Sequence, residues 1–279
     1  MTFFHFIKQK LIMQNYELDK IATTPPKDLK KDDIKEATIA LQIELGELQN
    51  LMFAEGKWSV LVVLQGPDAS GKTGAIKAFT DVHPMGLNVK SFKKPSTEEM
   101  SHDYLWRVHQ KLPAKGMIHV FDRSHYEEVL ITRVNGWIDD KTAHKRFGHI
   151  NDFERMLTDC GTVILKFYLH VEEEERQARF FERLSEPKKN WKYSEEDLTI
   201  FKQWPAYKKA YEDVLKNCGP DIPWIIVPSD KNWYKEYLIA KTTVEAMRNL
   251  KMSYPKPDIN MENPDVQELF RKFGKKKED

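Results

Sequence analysis

The chain has little cysteine: two residues in 279, Cys160 and Cys218, with none of the paired spacing of a zinc site. That scarcity excludes a disulfide-stapled scaffold, and both read as reduced thiols of a cytoplasmic protein. A charge of one sign is also missing, since 44 Lys and Arg face 43 Asp and Glu. Overall charge therefore selects no partner, and any polyanion site must come from local clustering. No apolar run approaches the roughly 18 residues of a membrane span. The opening Met1-Thr2-Phe3-Phe4-His5-Phe6-Ile7 is broken by Lys8 and Lys10, with no small-residue cleavage site after it. It reads as a flexible or partner-packed terminus. No basic patch interleaved with aromatics stands out, which argues against nucleic acid. There is no internal repeat and no second domain boundary.

What is present is a glycine-anchored loop. Residues 66–73 read Gly66-Pro67-Asp68-Ala69-Ser70-Gly71-Lys72-Thr73 and match G-x-x-x-x-G-K-[ST] at every fixed position. The apolar run Val60-Leu61-Val62-Val63-Leu64 precedes it as a buried strand should, and Ala75-Ile76-Lys77-Ala78-Phe79 follows as a helix should. In such a loop Gly66, Ala69, Ser70, Gly71 and the neighbouring Gly74 let the backbone curl so that amides point at phosphate oxygens. Lys72 reaches the terminal phosphates, and the Thr73 hydroxyl is offered to Mg²⁺. The bland alternative is a glycine-rich turn that binds nothing.

Five segments read as core strands, at 58–65, 87–92, 117–121, 162–169 and 223–228. Helical stretches lie between and around them at 72–82, 97–111, 143–159, 172–184, 195–217 and 231–250. Strand alternating with helix predicts an α/β three-layer sandwich built on a five-stranded parallel sheet. Ahead of it, residues 1–32 read as a flexible arm. Asp33 is positioned to cap a helix with apolar Ile34, Ala37, Leu41, Leu45, Leu48 and Leu51. One domain is expected over 33–255, with a tail over 256–279 whose Lys275-Lys276-Lys277 end reads as disordered.

Ligands of open parallel sheets bind beyond the carboxyl ends of the strands, so whatever follows the third strand should lie beside the loop. That strand ends in Asp122-Arg123-Ser124-His125-Tyr126-Glu127. Asp122 suits Mg²⁺, directly or through water, and Arg123 offers a planar fork for phosphate. Asp68 inside the loop repels phosphate unless a cation intervenes, which makes it a second metal candidate. Arg176, Arg179 and Arg183 fall on one face of the 172–184 helix, and Ser185-Glu186-Pro187 then breaks it. Residues 172–192 therefore read as a basic lid that closes over phosphates. Lys93, Arg133 and Arg179 are further phosphate candidates. Lys90, Lys94, His102, Arg107, His109 and Lys111 extend the possible basic track.

Taken together, these stretches resemble the family-2 polyphosphate kinases, phosphate-loop kinases related to thymidylate kinase. The resemblance covers about 33–255 and rests on Leu64-Gln65-Gly66-Pro67-Asp68-Ala69-Ser70-Gly71-Lys72, Ser101-His102-Asp103-Tyr104-Leu105-Trp106-Arg107 and Phe121-Asp122-Arg123-Ser124-His125-Tyr126-Glu127. Leu165-Lys166-Phe167-Tyr168-Leu169-His170, Glu182-Arg183-Leu184, Trp191-Lys192, Pro223-Trp224 and Lys231-Asn232-Trp233-Tyr234 follow in order. It implies Mg²⁺-dependent phosphoryl transfer between inorganic polyphosphate and adenine or guanine nucleotides, in a homodimer or homotetramer. It assigns Asp68 and Asp122 to metal and phosphate handling, Lys72 and Arg123 to phosphate, and Arg183 to the lid. His125 and Glu127 look like the subgroup that accepts mono- and diphosphates. Two positions depart from the pattern: Thr73 stands where an acidic residue is common, and Asp122 is typical of the diphosphate-preferring subgroup. The competing readings are an ATP-dependent nucleotide kinase and a non-catalytic nucleotide-binding module.

Overall fold

The computed structural model describes residues 16–193 and 202–274, apart from the Lys192 side chain. The expectations for residues 1–15 and 275–279, and for a helix start at 195, lie outside the described residues. Five parallel strands make one sheet in the order β2-β3-β1-β4-β5: β1 Ser59–Gln65, β2 Leu87–Ser91, β3 Ile118–Asp122, β4 Thr162–His170 and β5 Trp224–Pro228. Every residue of β1 is buried, as a central strand covered on both faces requires.

Successive side chains of a strand point to opposite faces, and β1 divides accordingly. Leu61 and Val63 join Phe121, Ile164, Tyr168 and Trp224 in one core. Over that core pack α6 (Asp140–Asp159), through Phe147, Ile150 and Phe153, and α8 (Trp204–Asn217), through Tyr207 and Tyr211. Val60, Val62 and Leu64 join Val120, Phe167 and Leu169 in the other. There α1 (Lys31–Glu55) contributes Leu45 and Met52, and α9 (Asn232–Arg248) contributes Ile239, Val244 and Met247.

The short helices depart most from expectation. The stretch at 72–82 is one α-turn, α2 (Lys72–Ala75), tightening into a 3₁₀ turn at Ile76–Phe79. The stretch at 97–111 splits into α3 (Thr97–Ser101) and α4 (Trp106–His109), because the Asp103 carboxylate caps a new start through the Leu105 and Trp106 amides. Asp33 is not a cap. The helix begins at Lys31, leaving Asp33 in the first turn, where its charge favours the helix dipole. A further turn, α5 (Ile131–Val134), follows β3, and α7 (Glu173–Ser185) follows β4. Ahead of α1 a 3₁₀ turn at Leu18–Lys20 is followed by irregular chain over 21–30, and buried Leu18 and Thr23 anchor this part of the expected arm. Within the expected tail, Pro264–Phe273 forms a last helix, α10.

Candidate active site at the carboxyl ends of β1 and β3

Parallel pairing of β1 with β3 puts Leu64 opposite Asp122, so the loop after one strand meets the turn after the other. The Arg123 amide donates to the Leu64 carbonyl (3.1 Å), and the Thr73 hydroxyl donates to Asp122 Oδ2 (3.1 Å). Arg123 Nη2 donates to Asp68 Oδ1 at 2.6 Å. Lys72 Nζ lies 4.0 Å from the same oxygen and donates to the Gly66 and Pro67 carbonyls (2.9 and 3.0 Å). Burial alone raises the Asp68 carboxyl, but Arg123 and Lys72 outweigh it and hold the group below its ordinary value. Lys72 is lowered by its own burial, which Asp68, Asp122 and Glu127 only partly offset.

Two non-glycine residues of this site have left-handed backbones, Ala69 (φ 64°) and Arg123 (φ 62°). Such a conformation costs about 1–2 kcal/mol per residue and persists only where surrounding bonds fix it. Here the strand-end hydrogen bond and the Asp68–Arg123 pair do so for Arg123. Asp68, Lys72, Thr73, Asp122 and Arg123, each predicted as a site residue, are thus brought together, with Gly66, Ser70, Gly71 and Gly74 forming the loop around them. Arg183 on α7 is half-buried, and its charge helps lower Asp68.

Beside this cluster opens a cleft of about 740 Å³, the size of a small-molecule site. Lys93, Lys94, Arg107, Arg123, Glu127 and Glu128 supply its charge, while Phe92, Met100, Tyr104 and Trp137 supply apolar wall. Glu127 Oε1 accepts from Gln65 Nε2 (3.1 Å), which fixes the carboxylate between loop and cleft.

Four expectations are corrected or refined. Arg133 is not at the phosphates: its guanidinium donates to Asp140 Oδ1 and Asp213 Oδ2, both at 2.7 Å, and ties α5 to α6 and α8. Arg179 spends its donors on Glu175 and on the Ala69, Ser229 and Asp230 carbonyls, so it ties the loop instead of offering a free fork. The His125 side chain is fully buried, with Nε2 3.2 Å from Glu154 Oε1. It supports from below the segment with which it lines the cleft. The basic track is also shorter than expected. Glu99 neutralises Arg107 and Lys111, His102 stacks on Trp106, and His109 packs on Phe153.

Sequence reasoning missed the network beneath the site. Lys166, in the middle of β4, donates to Glu154 Oε2 (2.6 Å), the Tyr126 hydroxyl (2.9 Å) and the Cys218 carbonyl (2.7 Å), while Tyr126 donates to Glu154 Oε1 (2.8 Å). This network holds the underside of the segment whose other face carries Arg123 and Glu127. A charged residue inside an apolar strand run was its one visible signal. Lys235, fully buried against the Gly71 carbonyl, was missed as well.

Among the described residues no three His, Cys, Asp or Glu side chains form a metal cage, and no helix is long and apolar enough to cross a membrane.

Comparison with known proteins places this geometry. The family model for polyphosphate kinase 2 (PPK2) matches residues 28–255. An AMP/ADP-polyphosphate phosphotransferase of Meiothermus ruber is 44% identical over 229 residues, covering 81% of this chain and 86% of that protein. An ADP-polyphosphate phosphotransferase of Rhodopseudomonas palustris is 41% identical, over 77% and 79% of the two chains. The crystal structure of Polyphosphate Kinase 2 from Arthrobacter aurescens TC1 superposes with a TM-score of 0.86 at 36% identity, covering 92% of this chain and 93% of that one. The match over most of its length shows that the chain belongs to the polyphosphate kinase 2 family.

Proposed function

We propose that this protein transfers the terminal phosphoryl group reversibly between inorganic polyphosphate and nucleoside mono- or diphosphates, of adenine and guanine, with Mg²⁺. The observation that carries the reading is the cluster of Asp68, Lys72, Thr73, Asp122 and Arg123 beside a mostly apolar cleft that Arg123 also lines. Cations gathered around one loop suit a phosphate chain, and the cleft beside it suits a nucleoside.

The donor set fits Mg²⁺. Asp122 and Thr73, already joined by a hydrogen bond, offer hard oxygens, and few protein ligands are needed because this ion keeps water and phosphate oxygens around it. Asp68 is the second candidate carboxylate, held by Arg123. Bound there, the ion would neutralise charge on the transferring phosphoryl group.

In the forward step an oxygen of the nucleotide's terminal phosphate attacks the end phosphorus of polyphosphate. A P–O anhydride bond breaks, and the shortened chain leaves with the electron pair. No general base is required, since the attacking phosphate is already ionised near neutral pH. Lys72, Arg123 and Arg183 spread the charge that develops on the equatorial oxygens. One anhydride replaces another, so the reaction runs both ways.

A subunit assembly, homodimer or homotetramer, accords with the exposed Ile39, Ile43 and Phe53 of α1. A cytoplasmic setting accords with the two free thiols.

The second reading, an ATP-dependent nucleotide kinase, draws on the Thr73–Asp122 bond, an arrangement ordinary ATP loops use. One experiment separates them. Purified protein with Mg²⁺ is given polyphosphate or ATP as donor, and AMP, ADP, GMP and GDP singly as acceptors, with products resolved by chromatography. Diphosphates and triphosphates forming from polyphosphate support the proposal. Transfer from ATP alone supports the kinase, and binding without turnover a regulatory module.

A further inference from the structure

In the phosphate loop Ala69 (φ 64°) and Gly71 (φ 88°) have left-handed backbones, and a cation stands behind each of their carbonyls. Arg179 Nη1, from α7, donates to the Ala69 carbonyl at 3.1 Å. Lys235 Nζ, from the first turn of α9, donates to the Gly71 carbonyl at 3.0 Å and to Asn232 Oδ1 at 2.9 Å. Gly71 is required here twice over. Its φ disfavours other residues, and a Cβ there would displace Lys235 Nζ from the carbonyl it holds.

We propose that Lys235 and Arg179 are positioning residues of the phosphate loop, holding its left-handed carbonyls from behind and so fixing the direction in which it presents its amides to a phosphate chain. In a trans peptide the carbonyl of one residue and the amide of the next point in opposite directions. The Gly71 oxygen also accepts from the Ala75 amide (3.0 Å), and Lys235 adds a second, charged hold on it from the α9 side, which together turn the Lys72 amide the opposite way. Pinning the Ala69 oxygen fixes the turn in which the Ser70 amide donates to the Pro67 carbonyl (3.1 Å).

The electrostatics of Lys235 agree with this role. Its side chain is fully buried, and its two acceptors are neutral oxygens. Around it, Arg179 of α7 and Lys77 of the 3₁₀ turn after the loop repel its charge, while Glu236 of its own helix attracts it. With burial the largest cause, the ammonium is lowered to about 8. A buried cation whose donors meet only neutral oxygens is a poor device for stability. It gains a role when an anion binds on the other side of the loop. Arg179 adds a mechanical link, since the same guanidinium donates to the Ser229 and Asp230 carbonyls beyond β5. The root of the lid helix, the end of β5 and the loop are joined through one side chain.

This inference rests on the phosphate-site reading above but is tested without turnover. In the full chain, Lys235→Met keeps length and removes charge, and Lys235→Gln keeps a donor. With Mg²⁺ present, binding of inorganic tripolyphosphate is followed by calorimetry and unfolding by a thermal melt. Lys235→Met is expected to bind about tenfold more weakly, the loss of one charge-assisted hydrogen bond, and Lys235→Gln to lose less, with Tm unchanged or raised in both. Paired with Arg179→Met, the losses should combine to well under a hundredfold, because both act on one loop. Unchanged affinity in folded variants overturns the proposal, as does failure of both Lys235 variants to fold, which would assign the residue to the fold alone. Wild-type protein that binds tripolyphosphate but transfers no phosphoryl group would overturn the functional reading and leave this one standing.

Discussion

Arg123 Nη2 lies 2.6 Å from Asp68 Oδ1, and this ion pair joins the phosphate loop to the turn after β3. Both groups are largely shielded from solvent, so the contact is stronger than a surface pair. It presets the guanidinium at the loop and leaves the carboxylate charged. Asp68→Asn keeps the shape and removes the charge. We expect phosphoryl transfer to fall about 10²–10³-fold, with the fold intact by circular dichroism. Arg123→Lys should do no better than a partial rescue, since an ammonium lacks the second arm of the fork. Turnover near wild type in either variant removes the pair from the mechanism.

Thr73 and Asp122 make a separate prediction. If their hydrogen-bonded oxygens hold Mg²⁺, Thr73→Val and Asp122→Asn should each raise the half-saturating Mg²⁺ concentration by about tenfold or more. The activity lost at low Mg²⁺ should return in part for Thr73→Val as the ion is titrated. A simple fall in rate with an unchanged Mg²⁺ curve would place the pair in the structure and not at the metal.

Arg183 is half-buried on α7, and its charge is felt at Asp68. Arg183→Ala should therefore lower kcat well beyond any loss of stability. Specific activity and Tm measured on the same preparation decide this: a lower Tm with unchanged specific activity sinks the assignment.

The buried Glu154–Lys166 pair contributes to acid stability. Burial pushes Glu154 upward, but Lys166 and His125 more than offset it, so the folded carboxyl lies below its ordinary 4.5. A depressed carboxyl adds stability above its unfolded value, and that stability is lost as pH falls through the folded one. Wild type should lose Tm below pH ~4.3, and Glu154→Gln should flatten that limb. At neutral pH Glu154→Gln should cost about 3–5 kcal/mol in chemical denaturation, because it strands a buried ammonium. A neutral-pH loss under ~1 kcal/mol would show that the network relaxes.

Much of this was legible in the residues because the deciding signals are local. The apolar runs of β1, β3 and β4, and the spacing from Gly66 to Thr73, each lie within a few residues. The parallel sheet then forces the two strand ends together, so Asp122 and Arg123 could be placed beside Lys72. What failed depended on partners far along the chain. Arg133 looked like a phosphate ligand because nothing near it announces Asp213. Arg179 looked like a free lid arginine until the carbonyls of Ala69, Ser229 and Asp230 converged on it. Lys235 drew no reading at all, since its burial follows from how α9 meets the loop. The short helices after Lys72 and Ser96 were overextended because tertiary contacts and the Asp103 cap overrode periodicity.

Glu127 carries the last prediction. Its carboxylate borders the cleft and accepts from Gln65 Nε2 at 3.1 Å, so it is aimed and not loose. A monophosphate acceptor places its attacking phosphate one unit farther from the donor than a diphosphate does. An acidic group between loop and cleft can bridge that gap through an ordered water or a second Mg²⁺. Glu127→Asn should then reduce kcat/KM for AMP more than for ADP, by a further factor of about ten if one charge-assisted contact is lost. Gln65→Leu, which removes the orienting donor and keeps the charge, should move the ratio in the same direction by less. The alternative role, a first-turn carboxylate that merely supports the 3₁₀ turn at His125–Val129, predicts equal losses for both acceptors. Parallel kinetics with AMP and ADP on the two variants separate the roles, and equal losses would remove Glu127 from acceptor choice.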